Sequence, residues 1–256
     1  MYPVLFEFSI IKAHSYYVLW AFALLVFIVW TRKRAVTRYG MPWDGVTSVI
    51  VWVYFAAIIG AIAGGAAEKI PLIISGREGL GALAKGGMTS GAGLLAGGIA
   101  GLWRLRALGL SADDFAESAS LPGAMMLGIG RIGCFMEGCC LGVGRVCAAR
   151  PWWGVHFPQD AANFFRYPSQ MSESIAAFII AAILYLLEKR MESRDARPKG
   201  AILFPLFLIL YGVYRFAFDF LRAARPQAAF NLTHVISALA IATGAAWLWR
   251  TVVKRL

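Results

Sequence analysis

The chain has 256 residues, of which 59% are hydrophobic and only 15% are charged, and its mean hydropathy is +0.65. These values exclude an ordinary soluble domain and predict a polytopic membrane protein. The formal net charge of +11 does not indicate nucleic-acid binding, because the basic residues lie between apolar runs and form no single patch. The expected partners are therefore the lipid bilayer and ligands within it, with no nucleic acid.

Apolar runs long enough to cross about 30 Å of hydrocarbon predict an all-α integral membrane protein, with residues 1–256 forming a single seven-helix domain. The first run continues into Thr31-Arg32-Lys33-Arg34, which indicates a membrane anchor and not a cleaved signal peptide. The third run is rich in glycine, which favours a tightly packed central helix over a re-entrant loop. The predicted helices are Ser15 to Trp30, Gly45 to Ala66, Thr89 to Trp103, Phe115 to Met136, Ser169 to Leu187, Ala201 to Leu221 and Leu232 to Trp249.

The distribution of Lys and Arg predicts the orientation of these helices. The connections after the first, third and fifth helices and the C-terminus carry more Lys and Arg than the connections on the opposite side. The positive-inside rule then places the N-terminus outside and the C-terminus in the cytoplasm. The longest connection, residues 143–168, mixes tryptophans with arginines, which is typical of a membrane interface. We expect it to form an external cap loop.

The stretch Gly130 to Gly142 closes the apolar segment of the fourth helix and contains Arg131 and Glu137. A charged side chain at membrane depth costs about 2.5–3.5 kcal/mol on insertion scales, so such residues tend to line a cavity or a site. Arg131 and Glu137 therefore mark a candidate site. The alternative is that both lie at a helix end and reach the lipid headgroups by snorkelling.

The sixth helix carries a polar stripe made by Tyr211, Arg215, Asp219 and Arg222, whose spacing of four, four and three places them on one helix face. One interpretation is an internal ion pair between Arg215 and Asp219 that lets the helix enter the membrane. The other joins Arg215 with Arg131 from a separate helix. Two guanidinium groups facing one cavity would bind an anionic phosphate, which at this location belongs to a lipid.

All four cysteines lie between Cys134 and Cys147. The adjacent pair Cys139-Cys140 does not match the usual spacing of a zinc knuckle, so we expect no metal site and no cofactor. A disulfide on an oxidising outer face and simple packing of Cys134 are better supported alternatives. A thiol beside two arginines would also have a lowered pKa and be mostly thiolate, which is nucleophilic. Covalent catalysis by Cys139 or Cys140 is therefore a further hypothesis.

Four motifs in the same order resemble the bacterial prolipoprotein diacylglyceryl transferase family, and the resemblance covers nearly the whole chain. The family transfers diacylglyceryl from phosphatidylglycerol to the cysteine thiol of a lipoprotein precursor. The motifs are Gly86-Gly87-Met88-Thr89, Gly130-Arg131-Ile132-Gly133 with Phe135 and Gly138, Pro168-Ser169-Gln170 with Glu173, and Tyr211-Gly212 with Arg215 and Arg222.

The resemblance implies roles for particular residues. Arg131 and Arg215 would hold the phosphatidylglycerol headgroup and take part in catalysis. Glu137, Cys139 and Cys140 are further catalytic candidates on their own chemistry and not through the resemblance. The implied substrate-binding residues are Tyr16, Gly87, Gly138, Gly142, Ser169, Gln170, Glu173, Tyr211, Asp219 and Arg222.

The chain also departs from the family at several positions. Where the family motif leads into a histidine implicated in catalysis, this chain continues Thr89-Ser90-Gly91. Cys134 replaces a family asparagine, Cys139 a family glutamate and Tyr167 a family histidine, and Asp219 lies where glutamate is usual. The usual acid and base groups are thus missing, while the headgroup clamp is retained.

These observations predict a transferase of the bacterial inner membrane whose site opens toward the outer leaflet. Its donor is phosphatidylglycerol and its acceptor a prolipoprotein cysteine. One alternative is a paralogue that transfers a diacylglyceryl or phosphoglycerol group to another lipid, a glycan or a small thiol. The second is a non-catalytic lipid-binding or transport protein, for which inverted repeats would be expected and no convincing pairing of halves is present.

Overall fold

The computed structural model describes residues 4–8, 11–77, 79–85, 89–193, 201–223 and 232–253. Eight α-helices form most of these residues. Two 3-10 helices, Leu80–Lys85 and Asp219–Leu221, accompany them. The helices are α1 Ser15–Tyr39, α2 Trp43–Ala67, α3 Ile70–Ile74, α4 Ser90–Ala107, α5 Ala112–Glu137, α6 Ser169–Ser193, α7 Leu203–Phe218 and α8 Leu232–Val253.

Within the described ranges, six helical segments are long and apolar enough to cross a membrane. They are α1, α2 together with α3, α5, α6, α7 with the 3-10 turn after it, and α8. The predicted third span is present as helix α4. Its glycines and two arginines lower its mean hydropathy, so it is not among these six segments. The chain is therefore a multi-pass, mainly helical membrane protein.

Two short antiparallel sheets accompany the predicted helices. Strands β1, Val4–Phe8, and β2, Ile11–His14, pair before α1, and strands β3, Gly144–Val146, and β4, Phe164–Arg166, pair between α5 and α6. The search for long apolar runs missed them because each strand is only three to five residues long. The predicted sixth helix also ends early, since α7 stops at Phe218 and tightens into a 3-10 turn.

The described residues fall into two compact units, residues 32–115 and residues 1–31 with 116–256. The smaller unit is built on the contact between α2 and α4. A Cβ added at Gly60 would lie 2.4 Å from the Ala96 Cβ, and one at Gly93 would lie 2.8 Å from the Ala57 carbonyl oxygen. Only small residues permit such an approach, which confirms the close packing predicted for the glycine-rich helix.

The larger unit is built around α5. A Cβ at Gly128 would lie 2.5 Å from the Phe178 ring of α6, and the Ser174 hydroxyl donates to the Gly128 carbonyl at 2.8 Å. Helix α8 approaches α7 in the same way, at Gly212. The buried core joins α5, α6 and α7 through Leu121, Ala124, Ile180, Ala181, Leu184 and Leu203.

The buried carboxylate of Glu117 fixes the start of α7 against α5. Its Oε1 accepts a hydrogen bond of 2.8 Å from the backbone N–H of Phe204, in the first turn of α7. The first N–H groups of a helix have no partner within the helix, and the helix dipole favours an anion there. This bond sets the position from which α7 carries Tyr211 and Arg215.

Residues 143–168 form an ordered structure around strands β3 and β4. The Phe157 side chain is fully buried and packs edge-on against Phe135 of α5, with ring centroids 6.0 Å apart. Arg166 forms a salt bridge of 2.6 Å with Asp160. Trp152, by contrast, is 96% exposed. The segment is thus attached to the end of α5 and presents a large aromatic side chain outward.

Candidate active site

Three arginines meet at one carboxylate, that of Glu173 in α6. The Arg131 Nε of α5 lies 2.6 Å from Glu173 Oε2, and the Arg215 Nη1 of α7 lies 2.9 Å from Oε1. Arg222 Nη1 lies 3.7 Å from the same Oε1. Glu173 is 5% exposed, whereas the three arginine side chains are 15–18% exposed. The carboxylate therefore anchors the group from inside while part of each arginine stays accessible.

Arg222 reaches this group by a route that differs from the predicted one. Helical spacing would place it one turn beyond Asp219, but its backbone is extended, with φ −93° and ψ 137°. The segment 221–223 pairs with the segment 141–143 through two hydrogen bonds of 2.9 Å, one on each side of the Gly142–Arg222 bridge. The polar stripe on one helix face is therefore wrong for its last member, because a β-bridge replaces the helix there.

The formal charges of this arginine cluster do not cancel. Asp219 contributes the second carboxylate, with its Oδ1 3.7 Å from Arg215 Nη2, and it also lies 3.9 Å from His234 Nδ1. Among the described residues of the cluster, three guanidinium groups thus meet two carboxylates. One positive charge remains, which favours binding of an anion at this partly accessible group.

The glycines of the Gly130-Arg131-Ile132-Gly133 motif let α1 approach α5. A Cβ at Gly130 would lie 2.6 Å from the Trp20 ring, and one at Gly133 would lie 3.2 Å from the Leu19 Cβ and 3.5 Å from the Tyr16 Cα. This approach brings the Tyr16 hydroxyl within electrostatic range of Arg131 and of the thiols beyond it.

A turn of three residues ends α5, and side chains from elsewhere hold it in place. Gly138 has φ +76° and Cys140 has φ +56°, a left-handed conformation that costs a non-glycine residue about 1–2 kcal/mol. Gln159 donates to the carbonyl of Gly138 at 2.8 Å. The Pro-Ser-Gln motif supplies the other two bonds, from Gln170 to Cys139 O at 2.5 Å and from Ser169 to Cys140 O at 3.0 Å.

This turn brings three thiols together. The Sγ atoms of Cys134, Cys139 and Cys140 all lie within 4.8 Å of one another. Hydrogen bonds from Cys134 and Cys139 lower the pKa of the Cys140 thiol, and the nearby Arg131 and Arg222 act in the same direction. The same network raises the pKa of Cys139, mainly through its hydrogen bond with Cys134. Cys140 is thus the member that is favoured as thiolate.

Comparison of the sequence with known families shows where the chain belongs. A family model described as prolipoprotein diacylglyceryl transferase matches residues 3–250. The chain belongs to this family. The motifs that form the arginine cluster and the turn all lie within the matched region.

Curated relatives named phosphatidylglycerol–prolipoprotein diacylglyceryl transferase are similar over most of the chain. The protein from Clostridium tetani is 31% identical over 229 residues, which cover 87% of this chain and 86% of the relative. The protein from Geobacter sulfurreducens is 31% identical over 235 residues, covering 88% and 84%. The protein from Pseudomonas fluorescens is 26% identical over 239 residues, covering 85% and 81%.

Most of the residues singled out from the sequence lie around two centres in this transferase-family chain. Arg131, Arg215, Arg222, Asp219 and Glu173 form the arginine cluster. Tyr211 lies within electrostatic range of Arg131. The turn with its supports contains Gly138, Cys139, Cys140, Ser169 and Gln170.

Gly142 and Gly87 are separate cases. A Cβ at Gly142 would lie 2.1 Å from the Tyr167 carbonyl oxygen. Two backbone segments cross so closely at this position that only glycine fits. That crossing supports the segment carrying Arg222. Gly87 lies outside the described residues.

Sequence reasoning missed one partner of a predicted residue. His14 Nδ1 lies 3.0 Å from Glu137 Oε1, which joins the last residue of β2 to the last residue of α5. The two residues are 123 positions apart, so no local pattern could reveal the pair. The signal that was available is that His14 is one of only three histidines in the chain.

Proposed function

We propose that the protein transfers the diacylglyceryl group of phosphatidylglycerol to the cysteine thiol of a prolipoprotein. The observation that carries this proposal is the arginine cluster, in which three guanidinium groups share Glu173 and one positive charge remains. Membership of the family and the names of the relatives support the same donor and acceptor. The apolar helices and the family support a location in the bacterial inner membrane.

The arginine cluster can supply the electrostatic part of this reaction. The acceptor sulfur attacks the glyceryl carbon that carries the phosphate, a carbon–sulfur bond forms, and the carbon–oxygen bond breaks. The electron pair leaves with glycerol phosphate, where negative charge grows in the transition state. Guanidinium groups fixed in advance at that position stabilise the leaving group without reorganisation. Arg131 and Arg215 are the catalytic residues of this proposal.

The acceptor thiol must also lose a proton. The pair of His14 and Glu137 is a candidate to receive it, because an imidazole that is oriented by a carboxylate can act as a general base. A covalent step through Cys139 or Cys140 stays a prediction. Full turnover in both Cys139→Ser and Cys140→Ser would exclude it.

The remaining residues divide into those that line the site and those that position it. Tyr16 and Tyr211 lie within electrostatic range of Arg131 and would contact the headgroup. Glu173 and Asp219 hold the arginines. Gly138, Gly142, Ser169 and Gln170 position the turn and the segment of Arg222.

The topology is part of the proposal. We place α4 across the membrane as a seventh span, packed through its glycines on α2, because an apolar face of Leu94, Leu95 and Ile99 is left exposed. With the N-terminus outside, the arginine cluster opens toward the outer leaflet and residues 143–168 form an external cap. The exposed Trp152 would then lie at the lipid interface.

The test uses the purified full chain in phosphatidylglycerol liposomes with a peptide that carries the lipobox cysteine. Mass spectrometry should detect the diacylglyceryl thioether of the peptide and an equal amount of glycerol phosphate. A peptide with serine in place of cysteine is the control and should stay unmodified. Consumption of phosphatidylglycerol without lipidation of the peptide would show that the acceptor is a different molecule. An unchanged amount of phosphatidylglycerol would overturn the proposal.

A further inference from the structure

The three thiols of Cys134, Cys139 and Cys140 have no role in the stabilisation of the leaving phosphate. Cys134 lies in the last turn of α5, and the other two lie in the turn that follows. Among the described residues, this is the one group of three or more potential metal-ligating His, Cys, Asp or Glu side chains whose ligand atoms converge. Cys147 lies in the segment after β3 and does not belong to it.

The backbone that carries the cluster is fixed before any ligand binds. Each of the three carbonyls from Gly138 to Cys140 accepts a side-chain hydrogen bond, and two of the donors come from the buried start of α6. Cys140 is held in a left-handed conformation within this turn. Metal sites gain specificity when their first ligands are fixed by such outer contacts.

The distances suit a thiophilic metal ion. Zinc–sulfur bonds of about 2.3 Å in a tetrahedral site place the sulfur atoms about 3.8 Å apart. The three Sγ atoms already lie within 4.8 Å of one another, so rotation of the cysteine side chains is enough to close the site. Three protein ligands leave the fourth tetrahedral position open, which is the arrangement of catalytic zinc sites.

The charges also match. Three thiolates and one Zn²⁺ ion carry a net charge of about −1, and coordination removes the thiol protons. The neighbouring arginine cluster has one positive charge in excess, and both Arg131 and Arg222 lie within electrostatic range of Cys140. Arg131 and Arg222 would therefore offset part of the negative charge of a site with three thiolates.

We propose that Cys134, Cys139 and Cys140 bind a zinc ion whose fourth position receives the thiol of the acceptor. This inference rests on the proposed function for the identity of the acceptor. The bound thiol gives up its proton to solvent water. The thiolate sulfur then forms the bond to the glyceryl carbon while the carbon–oxygen bond to phosphate breaks. The electron pair leaves on glycerol phosphate, and no oxidant or reductant is needed.

The first experiment measures metal binding by the full chain, purified under reducing conditions, given Zn²⁺ and passed through a desalting column. Wild type and Cys147→Ser should each retain about one zinc ion per chain, as for a single zinc site with three cysteine ligands. Cys134→Ser, Cys139→Ser and Cys140→Ser should each lose most of it. No zinc in wild type, or the same zinc content in all five proteins, would overturn the proposal. So would a disulfide among the three cysteines that persists in the active protein.

The second experiment needs no mutation and tests the open position. Wild type loaded with Co²⁺ should show sulfur-to-cobalt charge-transfer absorption, and addition of the lipobox peptide should shift the visible bands. The serine peptide should not shift them. Bands that do not respond to the cysteine peptide would refute the assignment of the fourth position to the acceptor.

The third measurement separates this inference from the proposed function. Removal of zinc by a chelator should lower the rate of peptide lipidation at least tenfold, and restored Zn²⁺ should recover it. Unchanged lipidation after verified zinc removal would overturn the metal site's role and leave the transferase function standing. Zinc binding by the three cysteines without any lipidation in the loaded protein would overturn the transferase function instead.

Discussion

At the scale of single residues, the position of Glu173 explains how three arginines can be held together in an apolar environment. Two guanidinium groups on separate helices repel each other, and a shared carboxylate at 2.6 Å and 2.9 Å offsets that repulsion. The family resemblance implied that Glu173 binds the substrate. In the structure it contacts the arginines, so we interpret it as a positioning residue.

Glu173→Gln should therefore weaken both the fold and the site. Loss of one partner from a buried ion pair costs about 3–5 kcal/mol, and here it leaves two guanidinium groups without their shared carboxylate. We expect a clear fall of the melting temperature in detergent. In the protein that remains folded, the KM for phosphatidylglycerol should change together with kcat, because the arginines lose their alignment.

The matched control lies on the same helix. Glu192 pairs with Lys189 at 3.4 Å, and both side chains are far more exposed than Glu173. Glu192→Gln should change stability by less than about 1 kcal/mol and leave turnover unaltered. If the two variants behaved alike, the anchoring role of Glu173 would be refuted.

Arg131→Lys tests whether the shape of the guanidinium group matters as well as its charge. Lysine keeps the positive charge but offers a single ammonium group in place of planar forked donors. Loss of a fixed donor to a developing anion typically lowers kcat about 10²-fold. The measurement is the rate of peptide lipidation at saturating phosphatidylglycerol. Arg145→Lys, in the strand β3, is the control and should retain its rate, whereas equal rates in both variants would contradict the catalytic role of Arg131.

At the scale of the elements, close approach of helices through glycine positions the site. The sequence predicted small-residue packing for α4, and the contacts between α4 and α2 confirm it. The same principle operates at Gly130, which admits the Trp20 ring and thereby brings the start of α1 to Arg131. The motif Gly-Arg-Ile-Gly is thus a packing motif and a site motif at once.

Gly130→Ala should destabilise the contact between α1 and α5. The added Cβ would lie 2.6 Å from the Trp20 ring, and overpacking of this kind costs about 1–3 kcal/mol, more than the gain in helix propensity. Gly98→Ala in α4 is the control, because a Cβ there meets nothing within 4 Å. Thermal unfolding in detergent should show a lower melting temperature for Gly130→Ala alone. A Gly130→Ala protein as stable as Gly98→Ala would contradict the packing.

At the scale of the whole molecule, the orientation in the membrane is the property that connects the site with its substrates. The lipoprotein precursor and the lipid donor must reach the site from the same side of the bilayer. The side that residues 143–168 face therefore decides which substrates can reach the site. The distribution of Lys and Arg predicts this orientation, because these residues are concentrated after the first, third and fifth predicted helices and at the C-terminus.

Reporter fusions test this orientation directly. A fluorescent protein that folds only in the cytoplasm should be bright when it is fused after residue 256, and alkaline phosphatase should be active when it is inserted beside Trp152. The reverse pattern, with active phosphatase at the C-terminus, would overturn the proposed topology. A fusion in the connection between α6 and α7 is a second cytoplasmic control.

Hydrophobic runs and the charges within them are local properties, so they were enough to predict the membrane class, most of the helix positions and two of the arginines that meet at Glu173. The sequence could not determine that Arg222 arrives through a β-bridge, that Glu173 holds three arginines, or that His14 meets Glu137 across 123 positions. The spacing of the four cysteines in the sequence also allowed several interpretations. The three-dimensional fold was needed to show that a left-handed turn brings three thiols together. Ser169, Gln170 and Gln159 hold this turn, and the convergence of side chains depends on backbone geometry and on hydrogen bonds between distant segments.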